Sequence, residues 1–173
     1  MQTFIYNEDN LTDDDIDSEV TRVKCFIINS HNQILLGLVN GGCHLPGGHV
    51  EEDEPLNETV KREVYEETGI VLNDNEIQAP FYEIKHYTKN YRDSGKNKLS
   101  RIVYFYIKSD KTPNYDNIHL TDHEIEAGFN IKYIDFNNFR SFIENRVKDS
   151  QNLYKIIAEE TLNAFEKLNE YLK

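Results

Sequence analysis

Residues 48–70, GHVEEDEPLNETVKREVYEETGI, hold the densest set of groups able to do chemistry in this chain. Glu63, Glu66 and Glu67 lie three and four residues apart. On a helix turning about 100° per residue they share an arc of about 100° and stand as neighbours. Carboxylates placed so closely repel one another unless positive charge lies among them. Arg62 supplies one such charge. A hard divalent cation such as Mg²⁺ suits the same place, because it prefers carboxylate oxygens and water. Leu56, Val60 and Val64 recur every fourth residue and border the acidic arc, so that face lies beside the core. Acidic clusters on helices ordinarily face water. This one is set apart by the glycine-rich entry at Gly47-Gly48 and the stop at Gly69.

The surrounding elements must position that helix. Its predicted span is Pro55 to Thr68, with proline tolerated at the first turn and Gly69 as the terminator. Upstream, VTRVKCFII and QILLGLV read as β-branched and aromatic strands, separated by a turn at residues 29–32. Asn40-Gly41 is a strong turn signal, and CHLPGGHVEEDEP follows as a loop. Downstream, PFYEIKHYT, SRIVYFYIK and FNIKYI read as strands. Asp135 is placed to cap a short helix, NNFRSFIENRV, and a long helical pattern closes the chain over about residues 149–172. The reading is mixed α/β with a largely hairpin-built sheet. Residues 1–19 form an acidic N-terminal extension and residues 20–173 a single domain.

The spacing resembles a known signature. Gly48, Glu54, then Arg62-Glu63-Val64, Glu66-Glu67 and Gly69-Ile70 fill all nine specified positions of the 23-residue Nudix box, and Leu45 to Gly48 match its usual lead-in. The chain is thus similar to the Nudix (MutT-like) hydrolases. The resemblance implies an α/β/α sandwich with a mixed sheet, here followed by a C-terminal helix. It implies hydrolysis of a nucleoside diphosphate linked to another group, with Mg²⁺ or Mn²⁺ as cofactor. Carried over by position, Glu63, Glu66 and Glu67 become metal ligands, joined by the Gly47 carbonyl. Arg62 becomes their organiser through a salt bridge to Glu54. Asp53 departs from the pattern, since many members carry glycine there. The general base is expected to be Glu63 or a carboxylate of a later loop, Glu124 or Glu126.

Residues 85–101 carry six lysines and arginines against one acid, with Tyr87 and Tyr91 interleaved. Two readings stand: a phosphate-attracting, base-stacking wall using Arg92, Arg101 and Tyr87, or a hairpin whose lysines discourage edge pairing. His44 and His49 flank the LPGG loop and are placed to line a pocket. Cys25 lies in an apolar run and reads as a small core residue.

The formal net charge of -12, with seven acids and no Lys or Arg among residues 8–19, argues against sequence-independent binding to duplex nucleic acid. Asp13, Asp15 and Asp17 imitate a calcium loop, but Ser18 and Lys24 stand where it needs Gly and Glu. No apolar run approaches the ~18–20 residues of a membrane span, and MQTFIYNEDN lacks the features of a signal peptide. A cytoplasmic enzyme with a small nucleotide-like substrate is expected, as monomer or homodimer. The alternative is a catalytically silent nucleotide-sensing or protein-interaction module. Such modules commonly lose box carboxylates, and this chain has lost none.

Overall fold

The computed structural model covers residues 1–173; the side chains of His123 and Glu124 lie outside what it describes. Among the described residues, seven strands form one sheet: β1 (Gln2–Tyr6), β2 (Ser18–Ile28), β3 (Gln33–Val39), β4 (Gly42–His44), β5 (Tyr82–Thr88), β6 (Lys98–Lys108) and β7 (Asn130–Asp135). The order is β1-β5-β6-β2-β3-β4, with β7 on β3. The α-helices described with it are α1 (Leu56–Thr68), α2 (Asp122–Glu126), α3 (Phe139–Val147) and α4 (Asn152–Tyr171).

From Cys25 to Ile28, strand β2 is apolar on both sides because both sides are covered. Val23, Cys25 and Ile27 pack with Val60 and Val64 of α1. Phe26 and Ile28, pointing the other way, pack with Phe139 of α3 and Phe165 of α4. This is the expected α/β/α sandwich. Helix α4 lays Ala158, Thr161, Phe165 and Leu168 inward, spaced by three and four residues along the face that meets the domain's own core. Both cysteines are buried and unpaired.

The sheet is less hairpin-built than the sequence reading has it. The turn after β2 leads into β3, yet those strands share only the pair Ile28↔Ile34. They then splay, β3 pairing with β7 from Gln33↔Asp135 to Leu38↔Asn130. The long central pairing is parallel, β2 with β6, from Ser18↔Lys98 to Ile28↔Lys108.

The splay matters for the site. It leaves an edge of β2 open, and residues 46–50 occupy it. Cys25 N donates to Pro46 O and Val23 N to Gly48 O, both at 2.9 Å, and Val50 N donates to Thr21 O at 3.0 Å. Gly47 has φ +131, and a Cβ there would strike the Val23 carbonyl. The backbone approaches so closely that only glycine fits.

Three further local readings change. Residues 2–6, assigned to the acidic extension, form β1 and pair in parallel with β5. Residues 42–44, read as loop, pair with β3. Asp135 makes no side-chain cap; it accepts a hydrogen bond from Gln33 Nε2 at 3.1 Å instead. Among the described residues no helix is long and apolar enough to cross a membrane.

Candidate active site

Helix α1 begins one residue after Pro55 and ends as expected. Gly69 adopts φ 68 and its N–H bonds Tyr65 O at 2.7 Å. A segment after β6 docks on that end: Asn114 N donates to Thr68 O at 2.9 Å and His119 N to Glu66 O at 2.8 Å. The helix is thus held at its start by the glycine loop and at its end by residues 114–119.

Arg62 organises the acidic face. Its Nε and Nη2 donate to the two carboxylate oxygens of Glu54, each at 2.8 Å. Nη1 donates to Glu63 Oε1 at 2.8 Å and Glu66 Oε2 at 3.4 Å, and Nη2 also reaches His49 O at 2.9 Å. The planar fork of a guanidinium makes this possible; a lysine, with a single nitrogen, could not grip both oxygens of Glu54 in this way. Glu54 also accepts from Glu51 N at 3.1 Å and Thr59 Oγ1 at 2.8 Å. The Arg62 hydrogen bonds hold its carboxyl down at about 2. Asp53 sits at φ +58, in the left-handed region. That explains why glycine is commoner there, and aspartate is among the residues that tolerate the conformation.

Glu63 lies against the glycine loop, with a side chain 13% exposed. Burial pushes its carboxyl upward, opposed by Arg62 and Lys24 and reinforced by Glu66. Glu67 is buried, and its Oε2 accepts from Gly47 N at 3.3 Å.

Glu63 and Glu67, with Arg62 and Glu66, are among the residues lining a cleft of about 930 Å³ between the sheet and the first half of α4. His44 and His49 line it too. Burial lowers the His44 imidazole to about 3, so it stays neutral. Less polar lining comes from Leu153, Ile156 and Ile157 of α4 with Ile102, Tyr91 and Tyr104. Arg22 and Lys24 enter from β2, and His86 and Glu160 face each other across 2.8 Å.

Several of these were missed by the sequence reading. Arg22 and Lys24 carried a usable signal: two cations at alternate positions of an otherwise apolar strand mark one face as open at that end. The contribution of α4 carried none, because a helix's local pattern does not tell which of its apolar residues, here Leu153 and Ile156, will face a cleft.

Other expected site residues lie elsewhere. Tyr87 and Arg101 sit on the opposite face of the sheet, because His86, Thr88, Ser100 and Ile102 take the cleft face and neighbours in a strand alternate. Tyr87 Oη donates to Asp13 Oδ1 at 2.6 Å. Arg101 donates to Glu83 at 2.7 Å and Glu19 at 3.0 Å. The acidic stretch before β2 therefore docks on part of the basic hairpin. Arg92 is exposed, 5.1 Å from the Tyr91 ring centroid, and does not line the cleft. Glu126 is exposed on α2 and also away from the cleft, which that segment meets through His119 and Thr121. Glu124 lies outside the described side chains.

The donors around Gly47 are all oxygens, three carboxylates and a carbonyl, which suits a hard divalent cation. Among the described residues no three His, Cys, Asp or Glu side chains stand closed up as a finished metal site. Glu63 is turned to Arg62 and Glu67 to Gly47 N.

Comparison with known proteins gives the family and the fold. The family model described as NUDIX domain matches residues 19–155. No curated protein matches the chain. Among solved structures, the NUDIX domain of Shewanella oneidensis NrtR, complexed with ADP ribose, has a TM-score of 0.60 at 18% identity, covering 95% of each chain. A MutT structure, described for Aliivibrio salmonicida and Vibrio cholerae, has a TM-score of 0.50 at 18% identity over 81% of this chain and 96% of that one. A bifunctional NMN adenylyltransferase/ADP ribose pyrophosphatase from Francisella tularensis has a TM-score of 0.52 at 21% identity, covering 85% of this chain but 41% of that longer one. At these identities the likeness is one of fold.

Proposed function

Since the chain belongs to the NUDIX family, we propose that it is a divalent-metal-dependent pyrophosphohydrolase acting on a small nucleotide-like substrate, a nucleoside diphosphate joined to a further group. The observation that carries this reading is that Glu63, Glu66 and Glu67 line one cleft together with Gly47 and Gly48. The cleft's volume is in the range of small-molecule sites.

Glu63, Glu66, Glu67 and the Gly47 carbonyl would hold Mg²⁺ or Mn²⁺. When bound, the ion neutralises the diphosphate and makes water a better nucleophile. The chain's own residues do the rest. Arg62, anchored on Glu54, orients Glu63 and Glu66. Glu63, whose carboxylate stands against Gly48, is the candidate to take the attacking water's proton. Arg22 and Lys24 offer positive charge to phosphate oxygens. Leu153, Ile156 and Tyr91 offer an apolar wall against which a planar ring can lie.

The test is a product-resolved chromatography screen with Mg²⁺, then Mn²⁺, against nucleoside triphosphates, ADP-ribose, nucleotide sugars and dinucleoside polyphosphates. Metal-dependent cleavage between phosphates is expected for at least one class. Binding without turnover across the panel would replace the enzyme with a sensing module.

A further inference from the structure

Lys24 stands where the proposed metal chemistry is centred. It is half-buried on β2, and its Nζ donates to Leu45 O at 2.9 Å and to Gly47 O. Gly47 O is the one backbone oxygen in the proposed metal-binding set. The same ammonium acts electrostatically on Glu63, against the effect of burial. The positive charge at the inner end of the cluster is therefore supplied by the chain itself.

We propose that Lys24 is a resident counter-cation: it holds the Gly47 carbonyl until a divalent ion takes that oxygen, and the released ammonium then positions the anionic part of the substrate. This rests on the metal-site reading above. Two cations on one carbonyl oxygen repel, so the ammonium and the metal compete for it. A lysine can yield without moving the backbone, because its donors rotate on a flexible four-carbon stem. Once released it remains tethered to the cleft floor beside Arg22, which also lines the cleft. A phosphoryl oxygen is the natural new partner for both charges.

The rival role is that of a simple staple, fastening Leu45 and Gly47 to β2. The two roles differ in the sign of one measurement. A staple removed would loosen the loop and weaken metal binding, whereas a competitor removed would strengthen it.

The experiment is a Mn²⁺ titration of the full chain without nucleotide, followed by electron paramagnetic resonance of the free ion. Lys24→Gln keeps an N–H donor and removes the charge. Lys24→Met carries the same test should the glutamine variant fail to fold. Mn²⁺ binding is expected to tighten about tenfold once the competing charge is gone. With Mn²⁺ saturating, KM for the substrate found in the screen is expected to rise several-fold, with kcat changing less. Unchanged or weaker Mn²⁺ binding, or an unchanged KM, would overturn the proposal and leave the metal site standing. A wild-type chain that binds no Mn²⁺ would defeat the metal-site reading, and this inference with it.

Discussion

The Glu63 carboxylate occupies the space that a side chain at residue 48 would need: a Cβ on Gly48 would lie 2.5 Å from Glu63 Oε1 and nearer still to Oε2. The loop glycine and the helix glutamate are 15 residues apart in the chain and fit one another at the site. Residue 48 therefore sets where that carboxylate can stand.

Gly48→Ala should fold, because the atom it meets is the end of a side chain that can turn aside. Turnover should fall about 10- to 100-fold, the cost of moving a reacting group by roughly an ångström. Gly47→Ala should behave differently. Its Cβ would meet the backbone of β2 at a φ of +131, so the loss should be in stability, about 2–4 kcal/mol. Kinetics and urea denaturation of the two variants check the contrast.

Glu66→Gln and Glu67→Gln keep shape and remove charge. Each should abolish most turnover and weaken Mg²⁺ binding, with the far-ultraviolet circular dichroism unchanged. Wild-type kinetics in both variants would remove the metal site from α1.

The Arg62–Glu54 pair should contribute to stability as well as to positioning. Glu54→Ala leaves the guanidinium short of two hydrogen bonds and should cost about 2 kcal/mol. The contribution has a definite pH dependence. The folded carboxyl is held down at about 2, below its ordinary 4.5, mainly by the Arg62 hydrogen bonds. Its stabilisation is therefore present above pH 4.5 and lost as pH falls toward 2. The difference between wild type and Glu54→Ala should shrink across that window.

His44 should act in a higher window. It is neutral in the fold because burial lowers it to about 3, while the unfolded chain takes up a proton near pH 6.5. Folding is then favoured most above pH 6.5 and loses up to about 1.4 kcal/mol per pH unit below it. His44→Gln should flatten the stability profile between pH 6.5 and 5, measured by denaturation at a series of pH values.

Much of the acidic face was legible before any coordinates. Glu63, Glu66 and Glu67 share a side because the helical repeat is local, and Gly69 ends the helix through its own backbone freedom. Arg62 reaches Glu54 across eight residues, a contact the motif implies. Tyr87 and Arg101 show where such reading stops. Their residue types suit a nucleotide, but a strand presents its neighbours to opposite faces, and which face meets the cleft depends on what packs against it. Asp13 claims Tyr87 instead, and Glu19 and Glu83, from the strands on either side, claim Arg101.

The amino-acid sequence by itself determined the α1 carboxylate pattern, the helix stop, most of the strands and the family, because each depends on neighbours a few residues away or on a fixed spacing. Tertiary structure alone decided that β2 and β3 splay and admit residues 46–50, that residues 2–6 join the sheet, that α4 walls the cleft, and that Lys24 meets the Gly47 carbonyl. Those outcomes arise from pairings between distant segments, whose register and face are chosen by the packing of the whole domain.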